Sequence, residues 1–184
     1  MSGNDDAGTI GEYTLSGTTV NASLITGLDW PSGIAISGND LFIANDNAGT
    51  ISEYTTSGTL VNASLISGLN YPQSIAILGD DLFIGNFAGI IGEYTISGDT
   101  VNASLITGLD DPNAIAISGN DLFVVNANGS TVGEYTTDGA TVNASLITGL
   151  AAPSGIAISP VPEPSAVALT GLSTAALWLR RRQK

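Results

Sequence analysis

The chain has 184 residues, no cysteine, no histidine and a formal net charge of −13. Without cysteine and histidine it can form no disulfide, no zinc site of the usual ligand types and no thiol nucleophile. The four basic residues all lie within positions 180–184, so residues 1–160 hold sixteen of the 17 acidic residues and no Lys or Arg. A strongly negative chain of this kind repels nucleic acid and anionic lipid.

The first six residues do not form a secretory signal, because they have neither a basic start nor an apolar run. Residues 4–10 match residues 45–51, which lie in the middle of a repeated unit. We therefore expect either that the natural chain begins further upstream or that this sequence is a fragment.

The sequence repeats as far as residue 159. A Glu-Tyr-Thr triplet marks each copy, and the triplets begin 41, 40 and 41 residues apart, at Glu12, Glu53, Glu93 and Glu134. A fixed period of this size indicates a repeat architecture.

Each complete repeat predicts four short strands, which we call a to d, joined by turn-forming residues as an antiparallel meander. In one repeat, strands a, b and d cover residues 33–36, 41–45 and 61–66, and strand c is the Glu-Tyr-Thr segment. Strand a is rich in small residues, strand b is apolar on both faces and strand d on one face. This gradient favours sheets placed side by side around an axis, with strand a innermost.

The segments Pro-x-Gly-Ile-Ala-Ile, Asp-Leu-Phe-Ile-Ala-Asn and Gly-Thr-Ile-x-Glu-Tyr-Thr resemble the repeat of NHL-type and YncE-like β-propellers. The resemblance covers residues 4–159 and implies an all-β propeller of about four four-stranded antiparallel blades. The sequence supplies strands c and d of a first blade, three complete blades, and a last strand a at residues 155–158. A closed four-blade ring, an open arc and a piece of a larger ring are all consistent with this count.

The tail has three parts: a Pro-rich linker at residues 160–164, an uncharged apolar segment at 165–179, and a basic end at 180–184. This order predicts a C-terminal transmembrane helix whose basic end stays in the cytoplasm, which places the repeats outside the inner membrane. A helix of that length spans only ~22 Å, less than the ~30 Å hydrocarbon core, as suits a segment meant for removal.

The order of these parts resembles the PEP-CTERM sorting signal, a tail also labelled as the ice-binding protein C-terminal domain. Its residues here are Pro162, Glu163, Pro164, Arg180, Arg181 and Arg182. The resemblance implies export, an inner-membrane intermediate, recognition by an exosortase, and delivery to the cell envelope or extracellular matrix of a Gram-negative bacterium. Members of the family carry a signal peptide, and its absence from this sequence again indicates a missing start.

The copies differ most on either side of the proline that opens strand a, near the expected axis. Variation there on a repeated scaffold is typical of a binding face, and aromatic residues could stack on the sugar rings of an extracellular polysaccharide. The alternative is neutral variation in exposed loops. The predicted face consists of Trp30, Ser32, Tyr71, Gln73, Asp111 and Asn113.

The only metal candidate is Ca²⁺, which binds oxygen ligands. The four recurring glutamates, Glu12, Glu53, Glu93 and Glu134, and the loops at residues 4–6 and 45–47 could supply them. Simple repetition of solvated acids and ordinary turn chemistry explain the same residues.

No enzyme is predicted, because the many Ser and Thr residues have no His to serve as a base. We expect a non-catalytic binding or structural module. The alternatives are a metal-dependent propeller hydrolase or lyase and a truncated fragment without function.

Overall fold

The computed structural model describes residues 7–158, and the regular structure in that range consists of β-strands. The strands are β1 (Ala7–Tyr13), β2 (Thr19–Asp29), β3 (Pro31–Ser37), β4 (Asp40–Asn45), β5 (Thr50–Thr55), β6 (Leu60–Ile66), β7 (Pro72–Leu78), β8 (Asp81–Asn86), β9 (Ile90–Thr95), β10 (Thr100–Thr107), β11 (Pro112–Ser118), β12 (Asp121–Asn126), β13 (Thr131–Thr136) and β14 (Thr141–Ile147). The predicted linker (160–164), C-terminal helix (165–179) and basic end (180–184) lie outside the described residues. In the part that is described, no helix is long and apolar enough to cross a membrane.

The strands form one two-stranded and three four-stranded antiparallel sheets, each in sequence order. The first sheet is β1-β2, and the complete sheets are β3 to β6, β7 to β10 and β11 to β14. These are the predicted strands a to d, and the first blade consists of strands c and d alone, as expected. A tight turn closes each pair of strands c and d; in the first complete sheet, the Thr55 hydroxyl accepts a hydrogen bond from the Thr59 N–H at 3.1 Å.

The inner strands β3, β7 and β11 lie side by side, and small side chains permit their close approach. A Cβ atom at Gly33 would lie 3.0 Å from the carbonyl oxygen of Gln73. Hydroxyl groups also join the sheets, since Ser32 Oγ donates to the Pro72 carbonyl at 2.6 Å and Ser74 Oγ to the Pro112 carbonyl at 2.9 Å. The sheets are therefore blades of a β-propeller, with strand a at the axis.

The hydrophobic core lies between successive blades. Strand b is buried on both faces, as predicted, because one face contacts the preceding blade and the other face contacts the following blade. Between the first two complete blades, the cluster contains Phe42, Ala44, Ile51, Ile66, Ile75, Leu82, Ile84 and Tyr94. Between the second and third, it contains Phe83, Ile91, Ile106, Leu122, Val124 and Tyr135.

Strand d is more exposed than the sequence indicates. The apolar face predicted for strand d includes the valine near its start, but Val20, Val61, Val101 and Val142 are all exposed. The register between β5 and β6 explains this: Asn62 pairs with Glu53 and Ile66 pairs with Ile51, so a bulge lies between them. Because the bulge bends the strand away from the sheet, only its last residues reach the core.

The predicted last strand a is not formed, since residues 151–158 belong to no strand. In the complete blades, strand a is hydrogen-bonded to the strand b that follows it, and no such strand follows residue 158 in the described chain. Among the described residues, no strand pairing joins the first and last sheets, and both Tyr13 in the first sheet and Ile147 in the last are exposed, so the described blades form an arc.

Candidate functional site

The residue before each entry proline adopts a left-handed backbone conformation. The values of φ are 53° at Trp30, 48° at Tyr71, 63° at Asp111 and 45° at Ala152. The following proline disfavours the right-handed helical region, and a positive φ in a non-glycine residue costs ~1–2 kcal/mol. The backbone pays this cost in every blade, as expected for a loop that the surrounding structure fixes.

Hydrogen bonds hold these entry residues beside the residue that follows strand b. The Asp46 N–H donates to the Trp30 carbonyl at 2.9 Å, and the Ala127 N–H donates to the Asp111 carbonyl at 2.9 Å. In the middle blade, the Phe87 N–H donates to the Tyr71 carbonyl at 3.2 Å. One end of the propeller axis therefore presents two variable positions from each blade. We call this end the axial face.

A pocket of about 410 Å³ opens on the axial face, lined by Asp46, Tyr71, Gln73 and Phe87. The rings of Tyr71 and Phe87 meet edge to face, with centroids 6.3 Å apart and planes at 78°. The Tyr71 side chain is still half exposed. The pocket thus combines an aromatic wall with a carboxylate and an amide.

Buried oxygen atoms without a hydrogen-bond donor are concentrated at the same face. Six side-chain oxygens in the described residues are of this kind, and four come from Asp46, Gln73, Asp111 and Asn113. A buried acceptor without a donor costs free energy, and residues 1–160 contain no Lys, Arg or His to supply a charged donor. Water or a ligand that brings hydrogen-bond donors would satisfy these atoms.

The electrostatics of the axial face are acidic. Burial raises the pKa of Asp46 above its ordinary value, and the negative charge of Asp111 raises it further. Asp46 follows strand b of the first complete blade and Asp111 precedes strand a of the third, so carboxylates of different blades act on one another across the axis.

Part of the predicted face lies together in the structure. Tyr71 and Gln73 line the pocket, and Asp111 and Asn113 contribute unpartnered oxygens. The Ser32 hydroxyl is instead bonded to the next blade, and Trp30 is half exposed but does not line this pocket.

Phe87 is not part of the predicted face, and Asp46 is predicted only as part of the loop at residues 45–47 that could bind Ca²⁺. A signal for both was present. The position after the asparagine of strand b changes from Asp46 to Phe87 to Ala127 between copies, as the positions around the entry proline do.

The recurring glutamates do not converge. Each described one lies on strand c of its own sheet, the third strand from the axis, and pairs with the asparagine of strand d. Within residues 7–158, no three acidic side chains are grouped as a metal site would require. Two loops are the other Ca²⁺ candidates. In the loop at 45–47, Asn47 Nδ2 donates a hydrogen bond to Asp29 Oδ1 at 3.4 Å. The loop at 4–6 lies outside the described residues.

Three raised carboxyl pKa values predict that mild acid stabilises the fold. Burial raises the pKa of Glu53, and the negative charge of Asp40 raises it further. Burial and the charge of Asp81 raise the pKa of Glu93 in the same way. Asp46 is the third such group, as described above. Since these groups bind protons more tightly folded than unfolded, stability rises as the pH falls toward the raised values. The gain is complete below the ordinary values of 3.8 for Asp and 4.5 for Glu.

The measurement is the urea midpoint at pH 7.5, 5.5 and 4.5, which we expect to increase in that order. The Asp46→Asn variant should be more stable than the parent at pH 7.5 and should show a smaller increase. The pKa of Asp138 is lowered, chiefly by the Thr136 hydroxyl, and opposes the trend. A midpoint that falls steadily from pH 7.5 to 4.5 would contradict the prediction.

No protein-family model matches the chain, and no curated protein matches it. Among solved structures, a chain of the nidogen–laminin complex is 20% identical with a TM-score of 0.73, over 83% of this chain and 61% of that one. Streptogramin B lyase is 24% identical with a TM-score of 0.63, over 83% and 52% respectively. A catalytically inactive histidine-to-alanine variant of Staphylococcus aureus virginiamycin B lyase with quinupristin is 27% identical with a TM-score of 0.64, over 82% and 53%.

The chain therefore spans about half to three fifths of the length of these structures. They are NHL/YncE-like β-propeller proteins, which confirms the predicted fold class. They include both a lyase and a protein from a binding complex, so the shared fold does not define one activity.

Proposed function

We propose that the protein is an exported propeller of the cell envelope or extracellular matrix that acts as a non-catalytic binding or structural module. The observation that carries the proposal is the pocket of the axial face, where an aromatic wall adjoins buried oxygens that have no hydrogen-bond donor. Such a site suits a ligand that carries both hydroxyl groups and apolar faces.

A neutral polysaccharide has this chemistry. Its hydroxyl groups would form hydrogen bonds with the Asp46 carboxylate and the Gln73 amide that line the pocket, and a sugar ring would contact Tyr71. The acidic residues of the body repel polysaccharides that carry carboxylate or sulfate groups. The proposed ligand class is therefore uncharged glycans of the matrix.

The binding test compares dextran and cello-oligosaccharides with anionic alginate by isothermal titration calorimetry. We expect binding to at least one neutral glycan and none to alginate. Tyr71→Ala and Gln73→Ala should each weaken binding about five- to thirtyfold, since each removes a contact of ~1–2 kcal/mol. Leu60→Ala is the control, because Leu60 is similarly exposed but lies on the outer strand β6. If neither pocket variant changes the affinity, the axial face is not the binding site.

The proposed route to the envelope rests on the tail alone. An exosortase would recognise the region of Pro162, Glu163 and Pro164 while the apolar segment holds the chain in the inner membrane. In a Gram-negative host with an exosortase, a chain supplied with a signal peptide should lose its tail and leave the membrane fraction. Glu163→Ala should keep it there, and equal release of both chains would contradict the proposed route.

The non-catalytic role is supported by the complete lack of histidine in the sequence. The virginiamycin B lyase variant that resembles this chain is catalytically inactive after the loss of one histidine. We therefore expect no turnover of quinupristin by this protein with or without Ca²⁺, and cleavage detected by mass spectrometry would favour the lyase alternative.

A further inference from the structure

The two ends of the arc expose the two halves of the interface that joins neighbouring blades. At each internal junction, the last residues of strand d pack in one cluster with the strand c tyrosine of the next blade. Ile66 and Tyr94 are buried together in this way, and so are Ile106 and Tyr135. The interface is thus formed by repeated sequence and not by one special contact.

At the ends, the equivalent side chains have no such partner among residues 7–158. Tyr13 is 58% exposed, whereas Tyr94 and Tyr135 are 6% and 5% exposed. Ile147 is 48% exposed, whereas Ile66 and Ile106 are 5% and 4% exposed. We call Tyr13, Leu15 and Gly17 the leading face, and Leu146 and Ile147 the trailing face.

The glycine of each turn between strands c and d is likewise in close contact inside the chain and uncovered at the leading end. A Cβ atom at Gly58 would lie 2.5 Å from the Leu24 carbonyl oxygen, and one at Gly139 would lie 2.7 Å from that of Leu105. These turns therefore pack directly against strand d of the preceding blade. The equivalent Gly17 has nothing within 4 Å of its Cβ position.

We propose that two copies of this chain associate head to tail, with the trailing face of one against the leading face of the other. Ile147 of the first copy then takes the place that Ile66 and Ile106 hold at the internal junctions, against Tyr13 of the second copy. The backbone of Leu146 meets Gly17. A second copy is the occupant because it carries the same repeated residues, in the same register, that form this interface inside the chain.

The association also provides a binding groove for residues 153–158. They repeat the sequence of residues 31–36 but form no strand. The leading end has a groove of about 280 Å³ lined in part by Ile10, Ile34 and Ile36, and Ile36 is 63% exposed. In the pair, residues 153–158 of the first copy extend from its last blade into this groove of the second copy.

Because the two faces differ, the contact is heterologous and either closes into a ring or extends to further copies. The like charge of the two acidic bodies opposes the contact, so salt strengthens it. Light scattering of the full chain over a concentration series, at about 0.05 and 0.5 M NaCl, should give at least the dimer mass, with more dimer at high salt.

The faces are tested by Leu15→Asp and Ile147→Asp, two changes at exposed positions. Each should raise the dissociation constant about tenfold or more, because it places a charge in an apolar contact. Val61→Asp is the control, since Val61 is 54% exposed but lies outside both faces. All variants keep the same tail, so differences between them report on the faces, and circular dichroism checks that each is folded.

A mixture of the two single variants separates head-to-tail contact from other modes. Each variant alone lacks one functional face, but the mixture offers one intact trailing face and one intact leading face, and should form dimers only. A wild-type chain that is monomeric at ~100 µM, association unaffected by both substitutions, or a mixture that stays monomeric would each overturn the proposal.

Discussion

Phe83→Ala is expected to destabilise the protein by ~3–5 kcal/mol, which is a large fraction of the ~5–15 kcal/mol stability of an ordinary domain. The Phe83 side chain is 1% exposed and belongs to the cluster between the second and third complete blades. Its removal leaves a cavity that the two packed sheets can close only by shifting toward each other. Urea denaturation followed by circular dichroism measures the loss.

The matched control is Phe123→Ala. Phe123 occupies the same position of strand b one blade later but is only partly buried, because no complete blade follows it within residues 7–158. We expect this substitution to cost about half as much. If Phe83→Ala yields no folded protein, Phe83→Leu tests the same site at a smaller expected cost. Equal losses at the two phenylalanines would show that the packing between blades is not what stabilises them.

Gly85→Ala is expected to cost ~1–3 kcal/mol although it adds a single methyl group. The new Cβ would lie 2.6 Å from the Pro112 carbonyl oxygen and would clash with Ser74 Oγ. The backbone oxygen belongs to the neighbouring blade, so relief requires the two blades to shift. The measurement is again the urea midpoint, and an unchanged midpoint would contradict the tight contact.

The repeat itself supplies the compensating change. The cross-strand pair Ser74–Gly85 corresponds to Gly33–Ala44 and Ala114–Val125 in the other blades, so a larger residue on one strand accompanies a smaller one on its partner. The double variant Ser74→Gly/Gly85→Ala recreates the first pair. It should lose less than the sum of the single variants, with a coupling free energy of ~1 kcal/mol.

The fold could be predicted from the sequence because each copy shows the same pattern of apolar and small residues. The apolar character of both faces of strand b, at positions such as Phe42 and Ile43, required a sheet on either side, and the structure has one on each. The close approach at Gly33 likewise follows from the small residues of strand a.

Other features could not be derived from local patterns. The bulge between Asn62 and Ile66 exposes Val61, because alternation of apolar residues assumes a regular register. Residues 155–158 copy a strand but form none, since a strand needs a partner as well as a sequence. The pocket depends on Phe87 contacting Tyr71, and that contact arises from the hydrogen bond that joins their loops.

The left-handed backbone conformation of the residues before the entry prolines has a further consequence. Trp30, Tyr71, Asp111 and Ala152 differ in size, polarity and charge, yet all adopt nearly the same φ. The backbone at these points therefore accepts aromatic, acidic and small side chains alike. New specificities could be selected by randomising these positions together, with little risk to folding, as in the hypervariable loops of an antibody.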